Sequence, residues 1–336
     1  MMRYRTLGRT GIEVSEIGFG AWGIGGVTPG ATSYGRTSDG TSIHALERAF
    51  DNGITFFDTS SVYGHGHSEE LIGRVIRGRR DKVVIATKAG LDCYGEPADF
   101  TPAHTRASLE RSLRRLGTDY VDLLQLHNPA PDLLEQDDKI TGLAERLKRE
   151  GKIRAFGVSV RAPKDGLVAL GRMKLDAIQV NLHLMDQRAA ECGLLESAVD
   201  TGCAVIARTP LCFGFLAASI DEDTIFSPDD HRSRWPRHQI AQWARGGATA
   251  RAFAAREGVG TAGQLALRFC LSFPAVASAI PGMLTPYEVD ENASASALTP
   301  LSISQLSEIR ALYKEVRFGM DKPVDPGKLD SAKTVS

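Results

Sequence analysis

Short apolar runs rich in β-branched and aromatic residues alternate along the chain with segments in which apolar residues recur about every 3.6 positions. The first pattern is typical of buried strands, and the second is typical of helices that cover a sheet. The eight predicted strands span residues 17–19, 55–58, 82–88, 120–127, 153–160, 177–181, 204–209 and 277–280. The predicted helices begin near Ser42, His67, Thr101, Asp137, Lys164 and Ala189, and then span residues 238–272, 286–297 and 302–316.

Eight consecutive strand–helix units predict an α/β fold with a parallel sheet, because parallel strands need covering helices and crossover connections. A closed (β/α)8 barrel accommodates eight such units. An open doubly wound sheet is the alternative, but it typically carries GxGxxG after the first strand, and the glycines there follow the pattern GFGAWGIGG. The barrel is therefore the preferred prediction.

Three segments lie outside the repeating pattern. Residues 4–7 and 13–15 flank the turn-forming sequence Gly8-Arg9-Thr10-Gly11, which predicts a hairpin that plugs the N-terminal end of the barrel. Residues 211–237 combine clustered charges, Ser and Pro with weak periodicity and predict a long loop at the C-terminal face. We expect a single domain over residues 1–318 and a polar, partly flexible tail over residues 319–336.

Composition and charge narrow the class of protein. With 42% hydrophobic and 24% charged residues, the chain is unlike collagen, coiled coils and disordered proteins. Its 40 basic and 41 acidic side chains give a formal net charge of −1, so we expect neither nucleic acid nor a membrane as a partner. Small molecules are the expected partners, and the oligomeric state stays open.

The cysteines and the N-terminal segment predict a cytoplasmic protein. The five cysteines form an odd set without a CxxC pair, which favours free thiols in a reducing compartment over disulfides or a zinc site. The first sixteen residues carry charges throughout and lack the apolar core of a signal peptide. His65 and His67 have no carboxylate or thiolate partner at ligand spacing, so we assign no metal.

Titratable side chains follow three consecutive predicted strands. Asp58, Lys88 and His127 each stand at the end of a strand, and Tyr63 lies in the loop after Asp58. Singly, such residues often cap a helix, extend to solvent or satisfy a buried carbonyl. Because strand ends converge at the barrel mouth, together they predict one site. Tyr63 would donate a proton, Lys88 would lower the pKa of Tyr63, Asp58 would hold Lys88, and His127 would orient a substrate carbonyl.

The residues at these positions also resemble a known family. The segments FFDTSSVYGHGHSEELIG, VVIATK, LERSLRRLGTDYVDLLQLH, GKIRAFGVS, AIQVN and AIPG…EN resemble the aldo-keto reductase superfamily in order and spacing across nearly the whole chain. The resemblance implies a catalytic tetrad of Asp58, Tyr63, Lys88 and His127. It further implies an NAD(P)(H)-dependent oxidoreductase that interconverts an aldehyde or ketone and an alcohol. Hydride passes between nicotinamide and the carbonyl carbon, while the tyrosine serves the oxygen as general acid or base.

The same resemblance implies a set of cofactor contacts. Ser159 and Gln179 match the pair that binds the nicotinamide carboxamide. Other matching positions follow the pyrophosphate and the adenosine, and these are Thr209, Pro210, Leu211, Gly214, Gly282, Glu291 and Asn292. Without the resemblance, each would equally fit loop closure, a satisfied backbone group or a solvated helix surface.

Two departures from the family pattern concern the nicotinamide. Arg208 stands where an aromatic residue usually stacks on the ring, and its flat guanidinium can also stack. A permanent cation there would favour the reduced, neutral nicotinamide over the oxidised, positively charged one. Ser159 is followed by Val160 instead of the usual Asn, so Gln179 should matter more for holding the carboxamide.

A third departure concerns the choice between the two nicotinamide cofactors. No Lys or Arg lies between Ile280 and Asn292, although relatives that prefer the 2′-phosphate have one there. Glu288, Asp290 and Glu291 add negative charge, and a phosphate beside one unpaired carboxylate costs about 1 kcal/mol or more. We therefore favour NAD(H) slightly over NADP(H), with Glu288 accepting a hydrogen bond from the ribose diol.

The residues expected around the pocket indicate the class of substrate, and two alternative functions stay open. Trp22 falls where the family often has a pocket wall, and Tyr94 and Phe213 lie in later loops at the mouth. The expected substrate is a small carbonyl or alcohol compound, sugar-like or aromatic. One alternative is a regulatory subunit of the same fold that senses the cofactor with negligible turnover. Another is a metal-free hydrolase or lyase that binds no nucleotide.

Overall fold

The computed structural model describes residues 1–28, 32–136 and 138–316. An N-terminal hairpin precedes a parallel sheet of eight strands. The hairpin strands are β1 (Tyr4–Thr6) and β2 (Glu13–Ser15). The sheet strands are β3 (Phe19–Gly20), β4 (Phe56–Asp58), β5 (Val84–Ala89), β6 (Val121–His127), β7 (Ile153–Ser159), β8 (Ala177–Asn181), β9 (Ala204–Arg208) and β10 (Val276–Ile280).

Helices connect the strands and cover the outside of the sheet. They are α1 (Asp39–Asp51), α2 (His67–Ile76), α3 (Pro102–Leu116), α4 (Pro131–Gln136), α5 (Asp138–Arg149), α6 (Pro163–Arg172), α7 (Arg188–Glu191), α8 (Leu194–Thr201), α9 (Arg237–Glu257), α10 (Ala262–Leu271), α11 (Pro286–Ser294) and α12 (Ile303–Val316). Within the described ranges, no helix is both long and apolar enough to cross a bilayer.

The helical region predicted over residues 238–272 is wrong as a single element, because the structure divides it into α9 and α10. Gly258 ends α9 in the left-handed conformation, with φ of 61°. Thr261 then begins α10 by accepting a hydrogen bond from the Gln264 amide, whose own side chain accepts one from the Thr261 amide. Two local signals therefore end one helix and start the next.

The sheet closes on itself and confirms the predicted barrel. Neighbouring strands pair in parallel in unbroken order from β3 to β10. Isolated parallel bridges then join Ile17 to Ala279 and Gly20 to Gly282. The Gly18 amide donates to the Ala279 carbonyl at 2.9 Å across this seam. The first and last strands thus meet, and all eight strand ends face one mouth.

The hairpin plugs the N-terminal end of the barrel, as the turn sequence predicts. Leu7, Ile12 and Val14 are buried in one cluster with side chains from inside the barrel. Gly8 has φ of 55°, and a Cβ atom there would collide with the carbonyl oxygens of Gly202 and Asp176. Glycine is therefore required where the hairpin turn packs against the bottom of the sheet.

The long loop predicted over residues 211–237 is present at the C-terminal face. It contains two short 3-10 turns, Cys212–Gly214 and His231–Arg234, before α9 begins at Arg237. Asp230 forms bridges with Ser33 and Tyr34, which belong to the segment between β3 and α1. Two loops thus meet above the mouth. The tail predicted over residues 319–336 lies outside the described residues, so the domain boundary at 318 stays a prediction.

Candidate active site

A buried ion pair forms the floor of the barrel mouth. Lys88 Nζ lies 2.5 Å from Asp58 Oδ1, and both side chains are almost completely buried. The same Nζ donates to the Thr59 carbonyl at 2.8 Å and to the Tyr63 hydroxyl at 3.3 Å. Three acceptors therefore match the three N–H bonds of an ammonium group. Burial lowers the pKa of Lys88, and Asp58 opposes this effect.

Two amide side chains bind the other carboxylate oxygen of Asp58. Gln179 Nε2 donates to Asp58 Oδ2 at 2.7 Å, and Gln125 Nε2 donates to it at 3.1 Å. Ser159 Oγ in turn donates to Gln179 Oε1 at 3.3 Å. The carboxylate thus accepts from three side chains on three strands, which offsets the cost of burying its charge.

The environment of Tyr63 differs from the expectation that Lys88 lowers its pKa. Burial removes water from the phenolate and raises the pKa of Tyr63, and the Asp58 charge adds to the rise. The opposing cation is Arg208, whose charge lowers this pKa. The phenol therefore stays protonated at neutral pH, and Lys88 acts on it through the hydrogen bond to its oxygen.

The ring centroids of His127 and Tyr63 lie 5.9 Å apart, and the two ring planes are nearly perpendicular. Ser60 Oγ lies 3.0 Å from Nδ1 and also accepts from the Val62 amide. The Ser60 hydroxyl can thus donate to Nδ1, and in that arrangement the imidazole proton lies on Nε2. Burial, followed by the charges of Lys88, Arg208 and Arg161, holds the pKa of His127 well below its usual value. The ring is neutral at pH 7 and can still donate.

A cavity of about 420 Å³ opens above this floor. It brings together several of the residues predicted for catalysis and cofactor contact, namely Asp58, Tyr63, His127, Gln179, Arg208, Thr209, Pro210, Leu211 and Gly282. Trp22, Tyr94 and Phe213, the expected pocket residues, line it as well. Ser159 and Lys88 lie behind this lining and reach it through Gln179 and Tyr63.

Aromatic rings form one side of the rim. The Trp22 ring centroid lies 5.2 Å from Tyr34 and 4.7 Å from His231. Phe213 packs against His231 at 5.1 Å and against Trp235 at 5.9 Å. These rings come from two loops, the one between β3 and α1 and the one between β9 and α9, so the aromatic wall exists only when these loops are packed together.

Arg208 lies at the end of β9 and has few partners. Its Nη2 donates to the Val160 carbonyl at 3.0 Å, whereas its buried Nε has no hydrogen-bond partner among the described residues. No carboxylate of the described chain lies within ion-pair distance of its guanidinium. Desolvation accordingly lowers the pKa of Arg208 from its ordinary value, although the group remains a cation at neutral pH.

Glu288, Glu291 and Asn292, predicted for the adenosine end of the cofactor, lie on α11, outside the cavity lining. Glu288 Oε2 accepts from the Leu284 and Thr285 amides at 2.7 and 2.9 Å, so it caps its own helix. Glu291 accepts from Thr261 at 2.6 Å, and Asn292 is buried. Gly214 adopts φ of 94° in the loop after β9. Their roles toward a cofactor stay predictions.

An arginine from another element reaches the acidic segment of α11. Arg48 of α1 binds Asp290 through Nε at 2.6 Å and through Nη2 at 3.2 Å. Asn52 donates to the same carboxylate at 2.8 Å. One of the three negative charges counted against a 2′-phosphate is therefore already neutralised, while Glu288 and Glu291 have no such ion pair among the described residues.

Several residues at the site were missed from the sequence, among them Tyr34, Gln125, Asn128 and Arg161. Gln125 lies two positions before His127 on β6, so strand alternation alone directs it to the same side of the sheet. Asn128 directly follows His127 and lines the cavity, as does Arg161, two positions after Ser159. Gln125, Asn128 and Arg161 each lie one or two positions from a predicted site residue, and this proximity in the sequence could have identified them.

Comparison with known proteins agrees with this geometry. The model of the Aldo/keto reductase family matches residues 16–314. The chain therefore belongs to the aldo-keto reductase family, an oxidoreductase family that acts on small carbonyl compounds with NAD(P)(H). The resemblance stated from the sequence motifs is confirmed.

Individual relatives include reductases and dehydrogenases. The chain is 36% identical over 242 residues to aldo-keto reductase YhdN of Bacillus subtilis, covering 71% of each protein. It is 31% identical to L-galactose dehydrogenase of Arabidopsis thaliana, covering 93% of this chain and 95% of that protein. Among solved structures, glycerol dehydrogenase AKR11B4 from Gluconobacter oxydans superposes with a TM-score of 0.77 at 29% identity, covering 93% and 95% of the chains.

Proposed function

We propose that this protein interconverts a small carbonyl compound and its alcohol with NAD(P)(H), and that Tyr63 is the general acid and base. The observation that carries the proposal is the hydrogen-bonded chain from Asp58 through Lys88 to the Tyr63 hydroxyl at the bottom of the cavity. The relatives named above include dehydrogenases, which supports including the oxidative direction.

The hydrogen-bond directions make Tyr63 a proton donor toward the cavity. Lys88 donates to the Tyr63 oxygen, so the phenolic proton is free to point elsewhere. The raised pKa of Tyr63 keeps that proton in place until a substrate oxygen develops negative charge. Lys88 then stabilises the phenolate that remains, and Asp58 keeps the ammonium in position.

Neutral His127 is proposed to orient the substrate. With Nδ1 facing Ser60, Nε2–H can donate to the carbonyl oxygen that Tyr63 protonates. Two donors on one oxygen would hold the carbonyl and stabilise the charge that develops on it. A nicotinamide cofactor, when bound, supplies the hydride or accepts it.

The residues around the cavity fit a nicotinamide cofactor. Gln179, Arg208 and Gly282 line the same cavity, and a Cβ atom at Gly282 would meet only Tyr34, at 3.9 Å. The Arg208 Nε atom is buried without a partner, which is the condition of a group awaiting a ligand. We propose that Arg208 stacks on the ring, that Gln179 with Ser159 binds the carboxamide, and that residues 209–214 follow the pyrophosphate.

We further propose a slight preference for NAD(H). Glu288 and Glu291 keep the segment after Gly282 acidic even though Arg48 neutralises Asp290. Glu288 uses Oε2 to cap its helix, so a hydrogen bond to the ribose diol would fall to its other carboxylate oxygen. Location in the cytoplasm stays a prediction from the sequence.

Titration of the purified protein with NADH and NADPH, followed by protein fluorescence at fixed ionic strength, tests the proposal. We expect both to bind and NADH to bind more tightly, whereas tighter NADPH would contradict the preference. In a carbonyl panel, Tyr63→Phe should lower kcat by about 10³-fold while cofactor affinity stays within about twofold.

Other outcomes select the competing functions. Cofactor binding without turnover of any panel member would favour a cofactor-sensing regulatory subunit. Absence of binding by either nucleotide would favour a hydrolase or lyase that uses the same tyrosine and lysine. An undiminished rate in Tyr63→Phe would exclude the proposed general acid.

A further inference from the structure

Asn128 presents an unpartnered carboxamide beside the residue that is proposed to hold the substrate carbonyl. It directly follows His127 and lines the same cavity as Tyr63. Its Oδ1 atom is buried and accepts no hydrogen bond from the described part of the chain, and its Nδ2 atom donates none there. A buried polar group without a partner is costly, so its retention at a cavity wall needs a cause.

The backbone holds Asn128 in this place. The Asn128 amide donates to the Ser159 carbonyl at 2.8 Å, which continues the pairing of His127 with Ser159. Its φ is 55°, in the left-handed region that Asn tolerates better than most residues. The loop geometry thus fixes the carboxamide next to the carbonyl-binding histidine.

A second side chain on this wall is also unpartnered. Arg161 lines the cavity after β7 and makes no hydrogen bond or ion pair with the described residues. Its charge reaches His127, because it contributes to the lowered pKa of that ring. Asn128 and Arg161 therefore offer hydrogen bonds at the cavity that the described part of the chain does not use.

The chemistry of a carboxamide selects the matching ligand group. An amide side chain both donates and accepts, and rotation about its last bond exchanges the two atoms. A hydroxyl also does both, so it pairs with Asn128 in either orientation. An alkyl group does neither, so it would leave the carboxamide atom that faces the cavity unpaired.

We propose that the substrate carries a hydroxyl group on the carbon next to the reacting carbonyl, and that Asn128 binds this hydroxyl and selects for it. The protein is thus a reductase of hydroxyaldehydes or hydroxyketones, or in reverse a dehydrogenase of vicinal diols. This inference rests on the proposed oxidoreductase function. Arg161 lies where it can donate to a further hydroxyl of a longer substrate.

The test compares 2-hydroxypropanal with propanal, a pair that differs by one hydroxyl. The kcat/KM ratio for the two is measured in the wild-type protein and in Asn128→Gly, which removes the carboxamide yet tolerates the left-handed backbone. We expect the wild-type ratio to exceed that of Asn128→Gly by about tenfold or more. Comparing ratios between proteins cancels the different intrinsic reactivities of the aldehydes.

Two further variants and the cofactor titration distinguish a loss of hydroxyl selection from a loss of cofactor binding. Asn128→Asp retains an acceptor and the backbone preference, so its ratio should lie between the other two. Arg161→Gln, at an exposed position, should bind cofactor normally and lower the preference for glyceraldehyde over 2-hydroxypropanal. If Asn128→Gly does not fold, the ratio in Asn128→Asp decides, and a ratio equal to that of the wild-type protein would then overturn the inference.

An equal ratio in the wild-type protein and Asn128→Gly would overturn the inference while leaving the reductase function intact. Weaker cofactor binding by Asn128→Gly with an unchanged ratio would also overturn it, because Asn128 would then serve the cofactor. If the protein turns over neither aldehyde nor any other carbonyl, the proposed function fails and this inference fails with it.

Discussion

The floor of the cavity and its rim differ in how their polar groups are partnered. On the floor, Lys88 and Gln179 donate to the two carboxylate oxygens of Asp58 at 2.5 and 2.7 Å, and Ser159 donates to Gln179 at 3.3 Å. The rim comprises the cavity residues that lie in loops or where strands pass into loops. On it, Arg208 and Asn128 each keep a buried polar atom without a partner within the described chain. The buried ion pair of the floor is fully partnered within the described chain, with Gln125 Oε1 as the one floor atom that lacks a partner there, whereas the rim leaves charged and amide groups unpartnered.

This difference follows from where each region is built. The floor residues stand on strands of one sheet whose pairing fixes them relative to one another, so the protein itself supplies the partners of the ion pair. The rim residues stand where strands pass into loops, and there a bound molecule can replace the missing partners. We therefore expect floor variants to affect stability and chemistry, and rim variants to affect affinity and selectivity.

The largest effect is expected from breaking the ion pair on the floor. Asp58→Asn leaves the Lys88 cation buried without its counter-charge, and we expect the free energy of unfolding to fall by about 3 kcal/mol. Chemical denaturation at pH 7 measures it. Arg48→Gln, which breaks the exposed ion pair with Asp290, is the control and should lose far less. Equal losses in the free energy of unfolding would show that the buried Asp58–Lys88 pair contributes no more to stability than the exposed Arg48–Asp290 pair.

An intermediate effect is expected in acid, where three buried histidines must gain protons. Burial lowers the pKa of His183 to about 4 and that of His231 to about 3, and it lowers the pKa of His127 as well. Below the unfolded value near 6.5, the unfolded chain binds protons that the folded protein does not, so stability falls as the pH decreases.

At pH 5 His183 and His231 should each account for a loss of about 2 kcal/mol relative to pH 7, and His127 should add to it. Denaturation curves across this range measure the slope, and His231→Gln should be less pH-dependent than the wild-type protein. A stability that does not change between pH 7 and pH 5 would show that these rings are accessible to protons in the folded state.

The smallest effect is expected from the rim cation. Arg208→Tyr removes a permanent positive charge from the proposed nicotinamide site, so the ratio of NAD⁺ to NADH dissociation constants should fall by about tenfold or less. Fluorescence titration with both redox forms measures this ratio. If the preference for the reduced form does not fall, Arg208 does not face the ring.

The barrel and its floor could be predicted because the carboxyl ends of parallel strands all lie at the same end of a closed barrel. Asp58, Lys88 and His127 end consecutive strands, and the closed sheet brings strand ends together whatever the intervening helices do. The break between α9 and α10 was also encoded locally, by Gly258 and the capping Thr261, although the helical periodicity on both sides concealed it.

The rim could not be predicted to the same extent. Tyr34 reaches the cavity because its segment pairs with Asp230, almost two hundred positions later, and no local pattern encodes that contact. The direction of the Tyr63 pKa shift was also missed, since the sequence shows which charges are near but not how much water is excluded. Loop packing and desolvation are properties of the whole fold.

The seam between the first and last barrel strands has a consequence for how this protein comes into being. Gly20 and Gly282 face each other across the seam, and both line the cavity. During synthesis, the cavity therefore does not exist until the ribosome has passed residue 282, and shorter nascent chains have an open sheet with exposed edges. The ligand-binding cavity therefore closes only when synthesis of the barrel is nearly complete. A chain that ends before residue 282 would lack the closed cavity even if most of its strands had formed.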